Sequence, residues 1–474
     1  MRQPPLTAQA RRTPWQAVPP LRLPRWLTPL LASWLVLQFD SCLLCRDSRF
    51  DRRKEHTVNI LHGNILFSKS YDELIAYEDS YLIVENGKVR EICSVLPEQY
   101  KNAEVTDYGK GVIIPAFSDL HVHASQYIER GLGMDMLLSD WLNQYTFPQE
   151  ARFADMNYAR PIYDAFIDDM IKHGTFHACI FATIHREATS YLIRRMEERG
   201  LYGYVGKVNM DIASPSYLCE TVEESLRETE QYLADCQNHK TAKPIITPRF
   251  APTCSEDLVK GLGALGKKYH VGLQTHLVES RWEAQEALRV YPGYKCDTEI
   301  YERAGLMENG PVVGAHFIFP AKDDIEIIKR HGGHTVHCPD ATTNIIAGIM
   351  GVSSLHGDGV NITLGTDVGG GHSMGIYTQI GRAVQLSKLK WFYEPETASP
   401  ITFTNAFYLA TKAGGSVFGK VGSFEKDYVF NALVIDGMED LDFPLTPAQV
   451  VERFCYIGTT ENIKARYLGG KLIG

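Results

Sequence analysis

Eight short apolar runs, each followed by a helix-like stretch of roughly ten to twenty residues, predict an α/β fold: a (β/α)8 TIM-type barrel with a small β-sandwich domain built from N- and C-terminal segments. Two further observations support this. Strand-like sequence brackets the eight runs on both sides, and 474 residues leave room for a smaller domain beside a barrel of roughly 250.

Residues 1–55 differ in composition from everything after them. They are Pro- and Arg-rich, then apolar over 26–37, then rich in charge over 46–54. About a dozen apolar residues are too few to span a bilayer. No small-x-small cleavage site follows the run, and Arg11-Arg12 lack the surroundings of a twin-arginine signal. We expect an atypical N-terminal extension, either a leader or an early start, outside the fold.

From Val58 the pattern becomes strand-like in "VNILHGNIL" and "SYLIVENGKVREI", where Asn86-Gly87 is a strong hairpin signal. Residues 56–115 are therefore expected to open the small β domain. Eight candidate barrel strands follow near 118–123, 178–183, 203–208, 244–250, 271–276, 311–316, 334–337 and 362–367. Segments such as "YARPIYDAFIDDMIKHG" supply the intervening helical pattern, which assigns 116–410 to the barrel. Strand and turn patterns return in "DYVFNALVIDG" and "ARYLGGKLI", so 411–474 is expected to complete the β domain.

A hydrophobic content of 44% with 22% charged residues suits a sizeable buried core. The net charge of -9 has the wrong sign for a protein that binds by neutralising phosphates, so nucleic acid is excluded as an expected partner. Ten cysteines are spread along the chain without the density of a disulfide scaffold, which suits a reducing, cytoplasmic setting. Cys42 and Cys45 form a C-x-x-C with no second pair at zinc-finger spacing, and are expected to be inert.

His121-Val122-His123 is the first chemically suggestive pattern. Alternate side chains on a strand share a face, so both imidazoles are able to reach one metal. With 16 histidines in 474 residues, roughly half such a pair arises by chance, so the motif decides nothing alone. The positions of the other candidates add weight: His276, His316 and Asp367 end the fifth, sixth and eighth candidate strands, and Glu279 follows His276 by three residues. In an α/β barrel these strand ends share the face on which active sites are built.

Together, "PAFSDLHVHASQY", "WLNQYTFPQEA", "VGKVNMD", "ITPRFAPTCSE", "THLVES", "GAHFI", "VHCP" and "LGTDVGGGHS" resemble the guanine deaminases of the amidohydrolase superfamily, over the chain from about residue 56 to its end. The resemblance implies that His121, His123, His276 and Asp367 bind one Zn2+, which is able to lower a bound water's pKa from 15.7 to around 7. It implies hydrolysis of guanine to xanthine and ammonia in purine catabolism or salvage. Glu279 would carry the proton, Asp367 would help accept it from water, and His316 would steady the attacking oxygen. Gln126 and Arg249 match base-contacting positions, with Phe250 as an apolar wall, although Arg249 is open to an alternative reading as a structural ion-pair partner. The family also implies a homodimer and a small-molecule purine as the binding partner.

Several residues are read as bystanders. The fourth strand ends in Arg249 and not in the Lys that bridges two metals in related hydrolases, so one metal is expected; Lys207, on the third strand, is read as structural. "GLGALGKK" has Lys268 where a phosphate loop needs Ser or Thr, and it reads as a helix before a strand. His173, His177 and His185 are read as core or lining residues and Cys338 as packed. After "HCP" the family usually continues with a residue and then Ser-Asn, where this chain has Ala341-Thr342, in a segment expected to border the pocket. Two rival readings remain: a related aminohydrolase acting on another purine, a pterin or a triazine, and a catalytically silent barrel that serves assembly.

Overall fold

The computed structural model describes residues 57–439 and 443–474; the expected N-terminal extension and the Cys42–Cys45 pair lie outside them. The first segments are strands, as their sequence pattern predicts. β1 (Val58–Ser70) and β2 (Glu73–Glu85) form an antiparallel pair. β3 (Lys88–Cys93) follows through the expected hairpin. Asn86 and Gly87 both have positive φ, 51° and 75°, as the favoured two-residue hairpin turn requires. A Cβ on Gly87 would lie 2.5 Å from the carbonyl oxygen of Gly469, so packing as well as φ demands glycine there. β4 (Val105–Pro115) then runs parallel to β1.

Among the described residues, ten strands and the helices that alternate with them make the α/β body. β5 (Phe117–His123), β6 (Thr175–Phe181), β7 (Tyr202–Gly206) and β9 (Ala242–Pro244) form one parallel sheet. β8 (Val208–Asn209) pairs with β10 (Thr247–Pro248). β11 (Leu273–Leu277), β12 (Val312–His316), β13 (His334–His337) and β14 (Asn361–Leu364) form a second parallel sheet. Backbone bonds join the sheets at both seams: Ile246 N to Gly272 O and Gln274 N to Ile246 O on one side, Asp367 N to His121 O and His123 N to Val368 O on the other.

Two expected strands are each broken in two. The third is interrupted at Lys207, whose buried Nζ bonds Glu220 Oε2 at 2.6 Å. The fourth carries Pro244 and Pro248, which have no N–H to donate to a ladder. The helix Glu256–Tyr269 contains "GLGALGKK" and precedes β11, so that segment has helix-before-strand order, the reverse of a phosphate loop. Helices such as Met156–Lys172 and Arg186–Arg199 bury one face against the sheets through residues including Tyr163, Phe166, Leu192 and Met196.

The chain then returns to the first sheet. β15 (Ala432–Ile435) pairs antiparallel with β4, β16 (Ile463–Leu468) with β15, and β17 (Lys471–Leu472) with β16. The expected sandwich therefore takes the form of one continuous seven-stranded sheet in the order β17-β16-β15-β4-β1-β2-β3. It folds back on itself: Lys88 of β3 bridges Val429, and Phe430 N donates to Gly87 O at 2.8 Å. Leu61, Phe67, Leu82, Phe424, Phe430 and Val434 pack into a core separate from the main one. The apolar area inside that fold favours closure, at roughly 25 cal/mol per Å2 removed from water.

Candidate active site

β5 is buried along its whole length, and its alternation puts Asp119, His121 and His123 on one face. Asp119 fixes this face against the segment that follows β14. Its carboxylate accepts from His121 N at 3.2 Å, Thr366 N at 3.0 Å and Thr366 Oγ1 at 2.5 Å. Burial pushes the Asp119 carboxyl up to about 7, partly offset by the Thr366 and His121 hydrogen bonds. The next residue after Thr366 is Asp367.

Asp367 Oδ1 lies 3.1 Å from His121 Nε2 and 3.3 Å from His123 Nε2, and its Oδ2 lies 3.7 Å from His316 Nε2. His276 approaches from β11, with its Nε2 3.2 Å from His123 Nε2. His276 Nδ1 is 2.6 Å from the Arg249 carbonyl oxygen, which only accepts, so Nδ1 carries the proton and Nε2 faces the cluster as a lone pair. Glu279 Oε1 is 3.5 Å from His316 Nε2. Ligand atoms of three overlapping groups lie within 4.8 Å of one another: His121, His276 and His316; His121, His123 and Asp367; Glu279, His316 and Asp367.

The backbone around these residues is unusual. Val278, His316, Phe317 and Asp367 have φ of 42°, 74°, 51° and 48°, in the left-handed region that side chains other than glycine rarely occupy. Each follows or ends a strand of the second sheet. Such residues cost of order 1–3 kcal/mol apiece, and they cluster at functional sites where the turn aims a side chain.

The electrostatics match a metal-binding donor set. Burial, ahead of the neighbouring charges, holds His123 down to about 4, His316 down to about 3 and His276 well below its ordinary value, so these imidazoles are neutral and have lone pairs to offer. Burial pushes Asp367 up but is outweighed by the surrounding imidazoles, His121 first, so its carboxyl stays ionised well below the usual range. His121 Nε2 is buried without a hydrogen bond although Asp367 is near, a costly condition unless something else accepts its lone pair. Neutral imidazoles with one carboxylate and a buried, unpartnered nitrogen fit a divalent metal. Glu279 behaves in the opposite way to Asp367: burial first, then the charge of Asp367, raises its carboxyl, with Arg249 partly offsetting both, so it holds a proton readily.

His123, His276, Glu279, His316 and Asp367 of this cluster line a cavity of about 500 Å3, together with Gln126, Arg249 and Phe250. Gln126 sits on the short turn Ala124–Glu129 immediately after His123. Its Nε2 donates to Glu150 Oε1 at 2.9 Å, and its Oε1 accepts from Gly369 N at 3.0 Å. Arg249 Nη1 donates to Glu150 Oε2 at 2.9 Å; both residues are buried. Arg249 is thus an ion-pair partner and a lining residue at once. The Phe250 ring lies between His276 and Trp282, each with its centroid 6.4 Å away.

All the expected site residues converge. Sequence reasoning missed Asp119, Glu150, Trp141, Phe147 and Trp282; Trp141, Phe147 and Glu150 lie inside the motif "WLNQYTFPQEA", which is the signal that points to them. One expectation needs correction. Ala341 and Thr342 do not line the cavity: they are buried in the short helix Pro339–Asn344, where Thr342 Oγ1 bonds Pro339 O, and Ile345, Ile346 and Ala347 reach the cavity in their place. His173 and His177 bond backbone carbonyls away from the cavity, and Cys338 is a buried thiol whose pKa burial raises well above its ordinary value.

The sequence matches the amidohydrolase family over residues 112–473. It is 35% identical to a guanine deaminase of Rattus norvegicus over 376 residues, 76% of this chain and 82% of that one. It is 32% identical to a guanine deaminase of Dictyostelium discoideum, over 78% and 84% of the two chains. Among solved structures, a guanine deaminase from C. acetobutylicum with guanine bound in its active site superposes with a TM-score of 0.84 at 41% identity, covering 88% of this chain and all of the other.

Proposed function

The chain belongs to the amidohydrolase family, and on that premise we propose that it hydrolyses guanine to xanthine and ammonia, the reaction for which its guanine deaminase relatives are named. The observation that carries this reading is the meeting of a metal-competent His/Asp cluster with a proton-holding Glu279 in the lining of one cavity.

We assign His121, His123, His276 and Asp367 to one Zn2+. When bound, the ion supplies Lewis acidity that brings the pKa of a water from 15.7 to around 7. The protein's own groups do the rest. Asp367, ionised, takes a proton from the attacking water. Glu279 delivers its proton to the ring nitrogen, receives the proton that Asp367 took from water and delivers that to the departing amine, and is restored by the remaining O–H proton as the carbonyl forms, a task suited to a carboxyl raised by burial. His316, facing both carboxylates, donates to the oxygen that becomes negative in the tetrahedral intermediate. Gln126 and Arg249 hydrogen-bond the polar edge of the base, and Phe250 covers its face.

The eight strand positions, with β7/β8 and β9/β10 each counted once, we read as the (β/α)8 barrel; the seam bonds at Ile246 and Asp367 support closure. In this reading 116–410 is the catalytic barrel, and 56–115 with 411–474 the small β domain. No helix among the described residues is long and apolar enough to cross a membrane. A cytoplasmic homodimer in purine catabolism completes the proposal.

Metal content and xanthine formation, measured on wild type and Glu279→Gln, test it together. One zinc per chain, xanthine from guanine, and a severe loss in the metal-loaded variant are expected. Zinc without xanthine would retain the hydrolase and redirect the search to other amino-substituted heterocycles; no metal after zinc supplementation would sink the catalytic reading.

A further inference from the structure

Gln126 and Arg249 do not meet the cavity independently, because one buried carboxylate holds both. Glu150, on the helix Phe147–Ala151, accepts from Gln126 Nε2 through Oε1 and from Arg249 Nη1 through Oε2, each at 2.9 Å. A carboxylate only accepts, and a backbone N–H only donates. Gly369 N donates to the other end of the same amide, Gln126 Oε1, at 3.0 Å. The two ends of the amide are therefore clamped by partners of opposite kind. Turning it over would set Oε1 against the Glu150 carboxylate and Nε2 against the Gly369 N–H, exchanging two attractive contacts for two repulsive ones.

We propose that Glu150 is a positioning residue that locks the amide of Gln126 in one orientation and thereby sets selectivity among purines that differ by a carbonyl-for-amino exchange. It rests on the proposed reading of the site as a guanine pocket in which Gln126 reads the base. With the amide locked, Gln126 has one N–H and one lone pair left for the cavity, in a fixed order. A free amide presents them in either order and tolerates an amino group where guanine has its carbonyl. A site built to hydrogen-bond its substrate rejects mismatched analogues because its own polar groups are left unpaired, and that penalty disappears when the group is free to turn over. Glu150 touches no reacting atom in this scheme.

Glu150→Gln is the direct test, since glutamine still accepts from Arg249 but offers an N–H to a reversed Gln126. The readout is the inhibition constant of 2,6-diaminopurine divided by KM for guanine, with metal content as a control. The ratio is expected to fall by about tenfold or more, as the discrimination of one charge-assisted hydrogen bond is lost. In a Gln126→Met background the same change at Glu150 should leave the ratio unaltered, because a positioning residue acts only through the group it positions. Should Glu150→Gln fail to fold, Glu150→Asp takes its place: a carboxylate still forbids the reversed amide, so KM should rise with the ratio kept, and the ratio falling as KM rises would overturn the proposal. An inhibition constant and KM that rise together in the Glu150→Gln enzyme, or a ratio change that persists without Gln126, overturns it. Wild type that binds metal yet makes no xanthine overturns the function and this inference together; the other outcomes overturn the inference alone.

Discussion

His177 and the site histidines are all buried and stand at opposite ends of the parallel strands, and they are treated in opposite ways. His177, near the start of β6, has a partner for each nitrogen: Nδ1 faces Phe117 O at 3.2 Å and Ser118 Oγ at 3.1 Å, and Nε2 faces Asn431 Nδ2 at 2.8 Å. At the strands' other end His121 Nε2 makes no hydrogen bond, and His123 and His276 turn nitrogens toward each other. Burial alone is therefore no mark of function, because all of them are buried. The mark is a set of lone pairs aimed at one point with nothing from the protein to receive them. His177 spends its polarity on joining β5 and β6 to the returning chain at Asn431; the site histidines keep theirs available at a cost in stability.

The contrast predicts effects that separate cleanly. The largest belongs to Glu279→Gln, which should lower kcat by about 10²–10⁴-fold while leaving thermal stability near wild type; a loss of stability as large as that of a core variant would break the contrast. Chelation comes next. Stripping the metal should abolish xanthine formation and lower the melting temperature, since a ligand bound only by the folded state stabilises it, and zinc should restore both. Full activity in a chelated sample verified as metal-free would refute the ligand assignment.

At the other end the pattern should invert. His177→Ala leaves buried partners of Phe117, Ser118 and Asn431 unmet and should cost about 1–3 kcal/mol in stability, with kcat changed less than about twofold in the folded protein. The same residue carries a pH signature. Burial, partly offset by the Phe117 carbonyl, holds His177 down to about 4, below its unfolded value of about 6.5. The folded state therefore binds fewer protons, so this contribution is complete above about pH 6.5 and is lost as pH falls toward 4. Denaturant titrations at pH 7 and pH 5 should show wild type losing more stability than His177→Ala; equal losses would mean that His177 is not held neutral by the fold. The smallest effect is expected from Ala341→Ser with Thr342→Asn. These side chains do not reach the cavity, so KM for guanine should shift by less than about threefold, and a larger shift would show that the helix Pro339–Asn344 controls the pocket.

Much of the site is legible in the sequence because chemistry and strand period coincide. His-x-His on a strand places two imidazoles on one face, and His276, His316 and Asp367 fall at strand ends that share one rim. Asp119 and Glu150 were not legible. Acids are common, and nothing in local sequence says that Asp119 will receive Thr366 from 247 residues away or that Glu150 will clamp Arg249 from 99 away. The suspicion attached to Ala341 and Thr342 failed for a related reason: position after a strand predicts proximity to the rim, but a helical turn there rotated those side chains inward.

The sequence by itself determined the α/β alternation, the hairpin at Asn86-Gly87 and the identity of the metal-competent residues, because propensity, periodicity and ligand chemistry are properties of residues and their near neighbours. Only the tertiary structure decided that the β domain is one sheet folded back on itself, that the strand carrying Pro244 and Pro248 divides in two, that left-handed backbone aims His316 and Asp367, and which way round Gln126 sits. Those outcomes depend on pairings between distant segments, and a hydrogen-bond donor's direction is fixed only when its partner has arrived.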